Sequence, residues 1–421
     1  MNWPNAPLGR LAKMVGGGTP SKKNDAFWTG GDIPWVSPKD MSSREVWDAE
    51  DHITQAAVEG SATQVVPEGS VLVVVRSGIL VRRVPVAIAR VPVALNQDMK
   101  ALLPGGPLEP DYLAYALEAQ AEHVLAGCVK RGATVHSIDI GKFNHLQLAV
   151  PPPSEQHRIV EILDQADALR KKRAEADAKA ARILPALFYK MFGDPATNPT
   201  GWDQKPFDLA FEDCTAQFPK LQRNAYQVTG RFPVVDQCKE LVAGYCDDES
   251  LVTHVANPVI VFGDHTRIVK YVDFPFVAGA DGSRVFAAKE GFLPAFLAMQ
   301  LELQPIPNLG YSRHMREVRR LRFIAPPASL QRRYAERAES IRPLLKAQTS
   351  CRDNIESIWQ TLLHHAFTGY LTAKWREAHM KELLAEMEHQ AKALKIDDFR
   401  SPIEEDYKSS IINHQSEIPH D

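Results

Sequence analysis

The sequence predicts an α+β chain in which two mixed α/β blocks alternate with two long helices as an internal repeat. Three observations carry that prediction. The run PPPSEQHRIVEILDQADAL recurs without a gap, Pro151, Pro152, Ser154, Gln156 and Arg158 returning as Pro326, Pro327, Ser329, Gln331 and Arg333. Each copy opens a long apolar periodicity of four and three. The stretches between them are β-favouring runs punctuated by Gly and Pro. The repeat is much longer than the roughly 20–50-residue period of solenoids, so it reads as one duplicated unit. The predicted boundaries are 1–150 and 201–327 for the blocks and 151–200 and 328–370 for the spacer helices. An amphipathic helix is expected at 371–394 and a disordered, acidic tail at 395–421.

In the first block, VGGGTPSKKNDAFWTGGDIPWVSPKDM (15–41) reads as turns around a short strand from Ile33 to Val36. SVLVVV (70–75) and VPVAIARVPVAL (84–95) are strands, the second broken by Pro92, with a glycine turn, RSGILVRR, between them. DYLAYALEAQAEHVLAG (111–127) has the spacing of one helix stopped by Gly127, and KRGATVHSIDIGKFNHLQLAV ends in a strand. The second block repeats the plan in diverged form. FPVVD and NPVIVFGDHTRIVKYV are strands, FLPAFLAMQL a helix, and the alignment sets His314 against His136.

The helical seams read Ile162, Ala166, Leu169, Arg173, Ala176, Ala180, Ile183 and Leu187, then Ile341, Leu344, Gln348, Cys351, Ile355, Ile358 and Leu362. Four-three spacing is that of a coiled coil. Small residues in one seam stand where the other is bulky, as Ala166 against Ile341, which suits close packing of two helices. Arg173 and Gln348 interrupt both seams at equivalent places, either as partly exposed positions or to fix register. A helix of ~38 residues spans roughly 57 Å, the length of a strut, and Pro185 and Pro343 each threaten a kink. In 372–394, Met380, Leu384, Met387, Ala391 and Leu394 form a stripe able to fold back on the strut or dock a partner.

Composition narrows the function. The chain has 421 residues, 44% of them hydrophobic, a mean hydropathy of -0.25 and no run near the ~20 apolar residues of a membrane span. The N-terminus lacks a signal pattern, so the expected location is cytoplasmic. Five scattered cysteines support neither a disulfide framework nor a zinc site. A net charge of -3 and a pI near 6.5 count against a free-standing nucleic-acid binder.

Catalytic motifs are missing. GGGTPSKK fails the phosphate-loop pattern because lysine does not follow the last glycine; it is either a loop along a nucleic-acid backbone or a plain turn. No Asp/Asn-Pro-Pro-aromatic tetrapeptide and no GxSxG occurs. Asp236-x-x-Lys239 reads as a surface turn, and His364-His365 point to different helix faces. Basic and polar residues on turns stand out instead. The nucleic-acid-binding candidates are Thr19, Ser21, Lys22, Lys23, Lys39, Arg76, Arg82, Arg83, Gln97, Lys130, Arg131, Thr134 and His136. In the second block they are His265, Thr266, Arg267, Ser312, Arg313, His314, Arg316 and Arg319. Arginine suits guanine and phosphate, and Asn and Gln suit adenine.

GGGTPSKKNDAFWTGGDIPWVSPKDM, LNQDMKAL (95–102), PPPSEQHRIVEILDQADAL and the repeated block–helix order together resemble the specificity (S) subunit of a Type I restriction–modification enzyme, through about residue 394. The resemblance implies two target recognition domains, each reading one half of a split double-stranded DNA site. It implies that the long helices pair antiparallel, with pseudo-twofold symmetry, and bind two methyltransferase (M) subunits, with restriction/motor (R) subunits completing the complex. The subunit itself would be non-catalytic and without cofactor, the partners using S-adenosylmethionine, ATP and Mg2+. Gln156, Ile162, Leu169, Ile183, Leu187, Gln331, Ile341, Leu344, Ile358 and Leu362 are the expected spacer and subunit-docking positions. Two departures stand out: Leu330 replaces Glu155 in the second signature, and the second block lacks a GGTP-type opening.

Overall fold

In the computed structural model the described residues are 3–103, 105–132, 135–253, 258–310 and 312–394, with side chains as far as Gln390. The expected tail at 395–421 lies outside them. Two compact units divide the chain, Met1–Lys171 with Asn354–Asp421 (unit 1) and Lys172–Asp353 (unit 2).

Unit 1 closes on itself where Asn5–Pro7 pairs antiparallel with Gln147–Ala149. Its five-stranded sheet runs in the order Met14–Gly16, Met99–Leu102, Val71–Val74, Val86–Ala89, Glu45–Val46. Strand alternation explains the continuous apolar run SVLVVV. Val71 and Val73 pack with Tyr112, Tyr115, Ile159 and Trp359 on the helical side, while Leu72 and Val74 join Val36, Leu95 and Met99 on the other. Both faces are covered, so no polar alternation appears. A four-stranded sheet sets Ile33–Val36 parallel to Val93–Leu95. The single helix predicted at 111–127 is two, Pro110–Ala119 and Ala121–Gly127, separated at Gln120, whose ψ of 5° ends the first.

Unit 2 closes in the same way, Gln204–Pro206 pairing with Arg322–Ile324. One sheet orders Phe211–Asp213, Ser283–Ala288, Val259–Gly263 and Val269–Val272; the other gathers Lys220–Leu221, Phe232–Val235 and Val252–Thr253 around Phe276–Gly279. Its main core is aromatic, with Phe188, Phe192, Phe207, Phe211, Phe286, Phe296, Phe323 and Tyr334 all buried.

The first long helix is Pro153–Ala180, and a second segment, Ile183–Phe192, follows a turn at Ala181–Arg182. Pro185 has no N–H for the Ala181 carbonyl, which is where the helix stops. The other long helix, Ala328–Phe367, passes Pro343 without interruption. The inward faces correct the predicted seams. Ile162, Ala166, Arg173 and Ala180 are half-buried or buried as expected, with Leu163 buried beside Ile162, but Arg170 and Asp177 take the places expected of Leu169 and Ala176. In the later helix Ile341, Gln348, Ile355 and Leu362 alternate with Leu345 and Trp359, not with Leu344 and Ile358, while at the middle place both Cys351 and Arg352 are exposed. Three positions of each predicted seam are exposed: Leu169, Ala176 and Ile183 in the first, and Leu344, Cys351 and Ile358 in the second. Leu169, Ile183, Leu344 and Ile358 are left 64, 45, 67 and 57% exposed. Arg173 bonds across to the Gln348 carbonyl at 2.9 Å and pairs with Asp177 at 2.9 Å, and both interrupting residues are half-buried.

The C-terminal amphipathic stretch, Ala373–Ala378 and Met380–Leu394, folds back on unit 1. Leu383 and Met387 are buried, and the Gln390 amide donates to the Pro151 carbonyl at 3.3 Å.

Candidate nucleic-acid interface

In unit 1, three turns assemble one polar edge. The GGG opening lies against the strand Val93–Leu95: Gly18 N donates to Leu95 O at 2.8 Å. A Cβ on Gly17 would meet Asn96 O at 2.0 Å, so only glycine allows that approach. The chain then delivers the Thr19 hydroxyl to Gln97 Oε1. Buried Asn96 accepts from Asp98 N, and Asp98 O accepts from Val75 N and Arg76 N. The Arg76 guanidinium stands 3.9 Å from the Asp98 carboxylate. Arg76–Ser77 pairs with His136–Ser137, and Val129–Lys130 pairs beyond that. Thr19, Gln97, Arg76, His136 and Lys130 thus lie along one connected set of turns and short strands, although no two of them are close in sequence except the last pair.

Ser21, Lys22 and Lys23 are exposed beside this edge, with Lys22 over the Trp28 ring at 5.7 Å. Arg82, Arg83 and Arg131 are exposed on their turns, and Lys130 is paired with Asp139 at 3.0 Å. That pairing holds the Asp139 carboxyl below its ordinary range. Thr134 lies outside the described residues. Lys39 is a different case. It is clamped by Asp51 at 2.9 Å and Glu50 at 3.1 Å, whose hydrogen bonds raise its pKa, so its charge faces its own carboxylates.

In unit 2 the GDHTR turn is built from the inside. Asp264 is buried, and its carboxylate accepts from His314 N and Met315 N at 2.8 Å each. His314 is fully buried, its ring bonded to Asp264 O, so it holds the turn and does not face a ligand. Its N–H to Asp264 O repeats the bond from Ile138 N to Val75 O in unit 1, so its structural counterpart is not His136. Arg267 adopts φ 63° and donates to Ile306 O, which makes it a turn residue as well. Thr266 is exposed and His265 half-buried; Ser312, Arg313, Arg316 and Arg319 are exposed. Arg316 lies 3.5 Å from Glu317, and Arg319 lies 3.6 Å from both Asp208 and Asp213.

Sequence reasoning missed Gln237. Gln237 Nε2 donates to Asp281 O at 2.7 Å, its Oε1 accepts from His265 N, and its carbonyl accepts from Thr266. Its neighbourhood had drawn notice only as Asp236-x-x-Lys239, and buried Asp236 caps Cys238 N in a turn. No local motif signals a residue whose partners are backbone atoms far along the chain.

The docking positions separate into three kinds. Gln156 and Gln331 are buried and engaged within their own units, so neither presents a surface. Ile162, Leu187, Ile341 and Leu362 are half-buried; Leu169, Ile183, Leu344 and Ile358 are the exposed ones. Among the described residues no group of His, Cys, Asp and Glu is placed to hold a metal ion, and no helix is long and apolar enough to cross a membrane.

Residues 1–177 match the family model of the Type I restriction modification DNA specificity domain. Over 168 residues the chain is 44% identical to the Type I restriction enzyme EcoR124I/EcoR124II specificity subunit of Escherichia coli, covering 40% of this chain and 42% of that one. It is 27% identical over 268 residues to the MjaIX specificity subunit of Methanocaldococcus jannaschii, covering 59% and 60%. The matches therefore span less than two thirds of these relatives' lengths. A crystal structure of the Type I restriction–modification S subunit from M. genitalium superposes with a TM-score of 0.50 over 87% of this chain and 96% of that one. At 15% identity that likeness is one of fold.

Proposed function

We propose, from the match of residues 1–177 to the family model of the Type I restriction modification DNA specificity domain, that the chain is the non-catalytic specificity subunit of a Type I restriction–modification complex. It reads a bipartite, asymmetric site in double-stranded DNA, each unit contributing one half. The long helices form an antiparallel coiled-coil pair with pseudo-twofold symmetry that sets the spacing between the halves. Two M subunits dock on the helices and methylate adenine, and R subunits add restriction, in the cytoplasm. S-adenosylmethionine, ATP and Mg2+ serve those partners.

One observation carries the two-reader reading. Gln156 Oε1 accepts from Glu109 N, and its Nε2 donates to Pro107 O and Pro151 O; Gln331 Oε1 accepts from Leu293 N, and its Nε2 donates to Gly291 O and Pro326 O. Each glutamine thus ties the start of a long helix to the loop before its own unit's helix at Pro110 or Pro294. Two units built on one plan but bearing different polar turns suit two different half-sites. Leu169 with Ile358 in unit 1, and Ile183 with Leu344 in unit 2, are the exposed apolar positions we assign to M-subunit docking. A net charge of -3 fits a reader whose partners supply much of the phosphate neutralisation.

The test is to map methylated adenines in cells carrying the M partner, with this chain and with residues 1–150 exchanged for another reader. Only one half of a split motif should change. An unsplit motif, or a change in both halves, would overturn the reading.

A further inference from the structure

Within unit 2 the strand Phe276–Gly279 has Lys220–Leu221 and Phe232–Val235 as parallel neighbours, and Ala280 N donates to Leu221 O at 2.8 Å. In unit 1 the same backbone places are held by Val93–Leu95, by Ile33–Val36 parallel to it, and by Gly18 bonded to Leu95. The chain from Lys220 onward therefore runs where GGGTPSKK runs in unit 1, though the two share no motif. Gln222 and Arg223 are exposed on it, and both residue types suit base edges.

Beside this segment, Gln237 ties the His265–Thr266 turn to the Asp281–Gly282 turn through the three hydrogen bonds described above. A Cβ on Gly263 would come within 2.8 Å of the Gln237 Cβ, and one on Gly282 within 2.9 Å of its Oε1, so both turns are shaped around this side chain. The Lys220 ammonium donates to Ser283 O at 2.7 Å. Burial, then the charges of Arg284 and Arg313, hold it below the ordinary lysine range. Arg284 is half-buried, 3.7 Å from the Asp264 carboxylate, and Arg313 is exposed. Asp281 and Asp213 offset part of that like-charge effect, and a polyanion beside the three cations would offset the rest.

We infer that unit 2 reads duplex DNA through Lys220, Gln222, Arg223, Arg284 and Arg313, with Gln237 as the positioning residue that fixes the two turns behind them. This rests on the DNA-reading function proposed above and moves the second unit's recognition surface away from His314 and Arg267. The lysine and the pair Arg284 and Arg313 take phosphates; Gln222 and Arg223 face base edges.

The experiment uses the chain assembled with its M partner and reads DNA binding against salt together with the methylated motif. The double variant R284A/R313A should bind at least tenfold more weakly, with the slope of log K on log salt shallower by roughly 0.9 for each phosphate left unneutralised. R223A and Q222A, both at exposed positions that leave the fold alone, should relax one half-site about tenfold and leave the other intact. Q237A should relax that same half-site with the salt slope unchanged, and Q237E, which keeps the acceptor for His265 N, should fall between. A merely structural role for Gln237 would instead lower methylation at both halves together. If the wild-type complex reads a split site and these variants keep its selectivity and salt slope, this assignment alone is overturned. A wild-type complex with no split site would overturn the proposed function and this assignment with it.

Discussion

Units 1 and 2 share the glutamine that begins each long helix and differ at the residue just before it. Gln156 and Gln331 make matching sets of three hydrogen bonds. Glu155 and Leu330 could hardly be less alike. Glu155 is fully buried, accepts from Trp3 at 2.8 Å and Thr372, and pairs with Arg376 at 2.7 Å. Leu330 packs against the aromatic core of unit 2. The difference follows from their partners: Glu155 anchors the segment after the second long helix, which among the described residues belongs to unit 1.

Copying unit 2's residue into unit 1 is the harshest test of that account. Glu155→Leu leaves the Arg376 guanidinium buried without its carboxylate, which should cost about 3–5 kcal/mol, read by denaturant unfolding of the full chain. Adding Arg376→Met should recover most of the loss, since a buried pair replaced by apolar groups is often near neutral. A single Glu155→Leu variant as stable as wild type would mean that the C-terminal segment is not held here.

The shared glutamines should give a smaller and symmetrical effect. Gln156→Ala and Gln331→Ala each strand a buried N–H and carbonyl oxygens, at about 2–3 kcal/mol apiece. Near-equal losses in the two variants would support one plan used twice. A large loss in one and none in the other would break the correspondence.

How much of this was readable in advance depends on where each residue's partners lie. The strands around SVLVVV and NPVIVFG and the length of the second long helix were legible, because apolar period and turn residues are local signals; the break that ends the first at Ala180 was legible only as the threat of Pro185. The seams were half legible. A period read from sequence selects the most apolar column, and Leu169, Ile183, Leu344 and Ile358 are apolar yet exposed, while Arg170 and Asp177 take the inward places. The edge joining Thr19, Gln97, Arg76 and His136 was legible residue by residue but not as a site. The counterpart at Lys220 was not legible at all, since its place is set by backbone bonds to Phe276–Gly279 that any side chains would permit.

The smallest effect concerns a buried lysine that unit 1 lacks. Val261 pairs with Lys270 in unit 2 as Leu72 pairs with Ala87 in unit 1, and both Val261 and Leu72 face the sheet side away from the long helices. Lys270 is buried, 3.7 Å from Cys238 Sγ and 3.9 Å from the Asp236 carboxylate. Burial holds its pKa below the ordinary lysine value and pushes the Cys238 thiol up to about 11. The folded chain then releases the lysine proton at a pH where the unfolded chain still holds it. Stability from this group therefore rises with pH from the depressed value up to the ordinary one near 10.5, at no more than about 1.4 kcal/mol per pH unit. Lys270→Met removes that slope. The stability of the variant relative to wild type should fall as pH is raised from 8 to 10, measured by urea unfolding at each pH. A difference that stays constant across that range would mean that Asp236 compensates the buried ammonium fully, and that unit 2 tolerates the lysine as well as unit 1 tolerates Ala87.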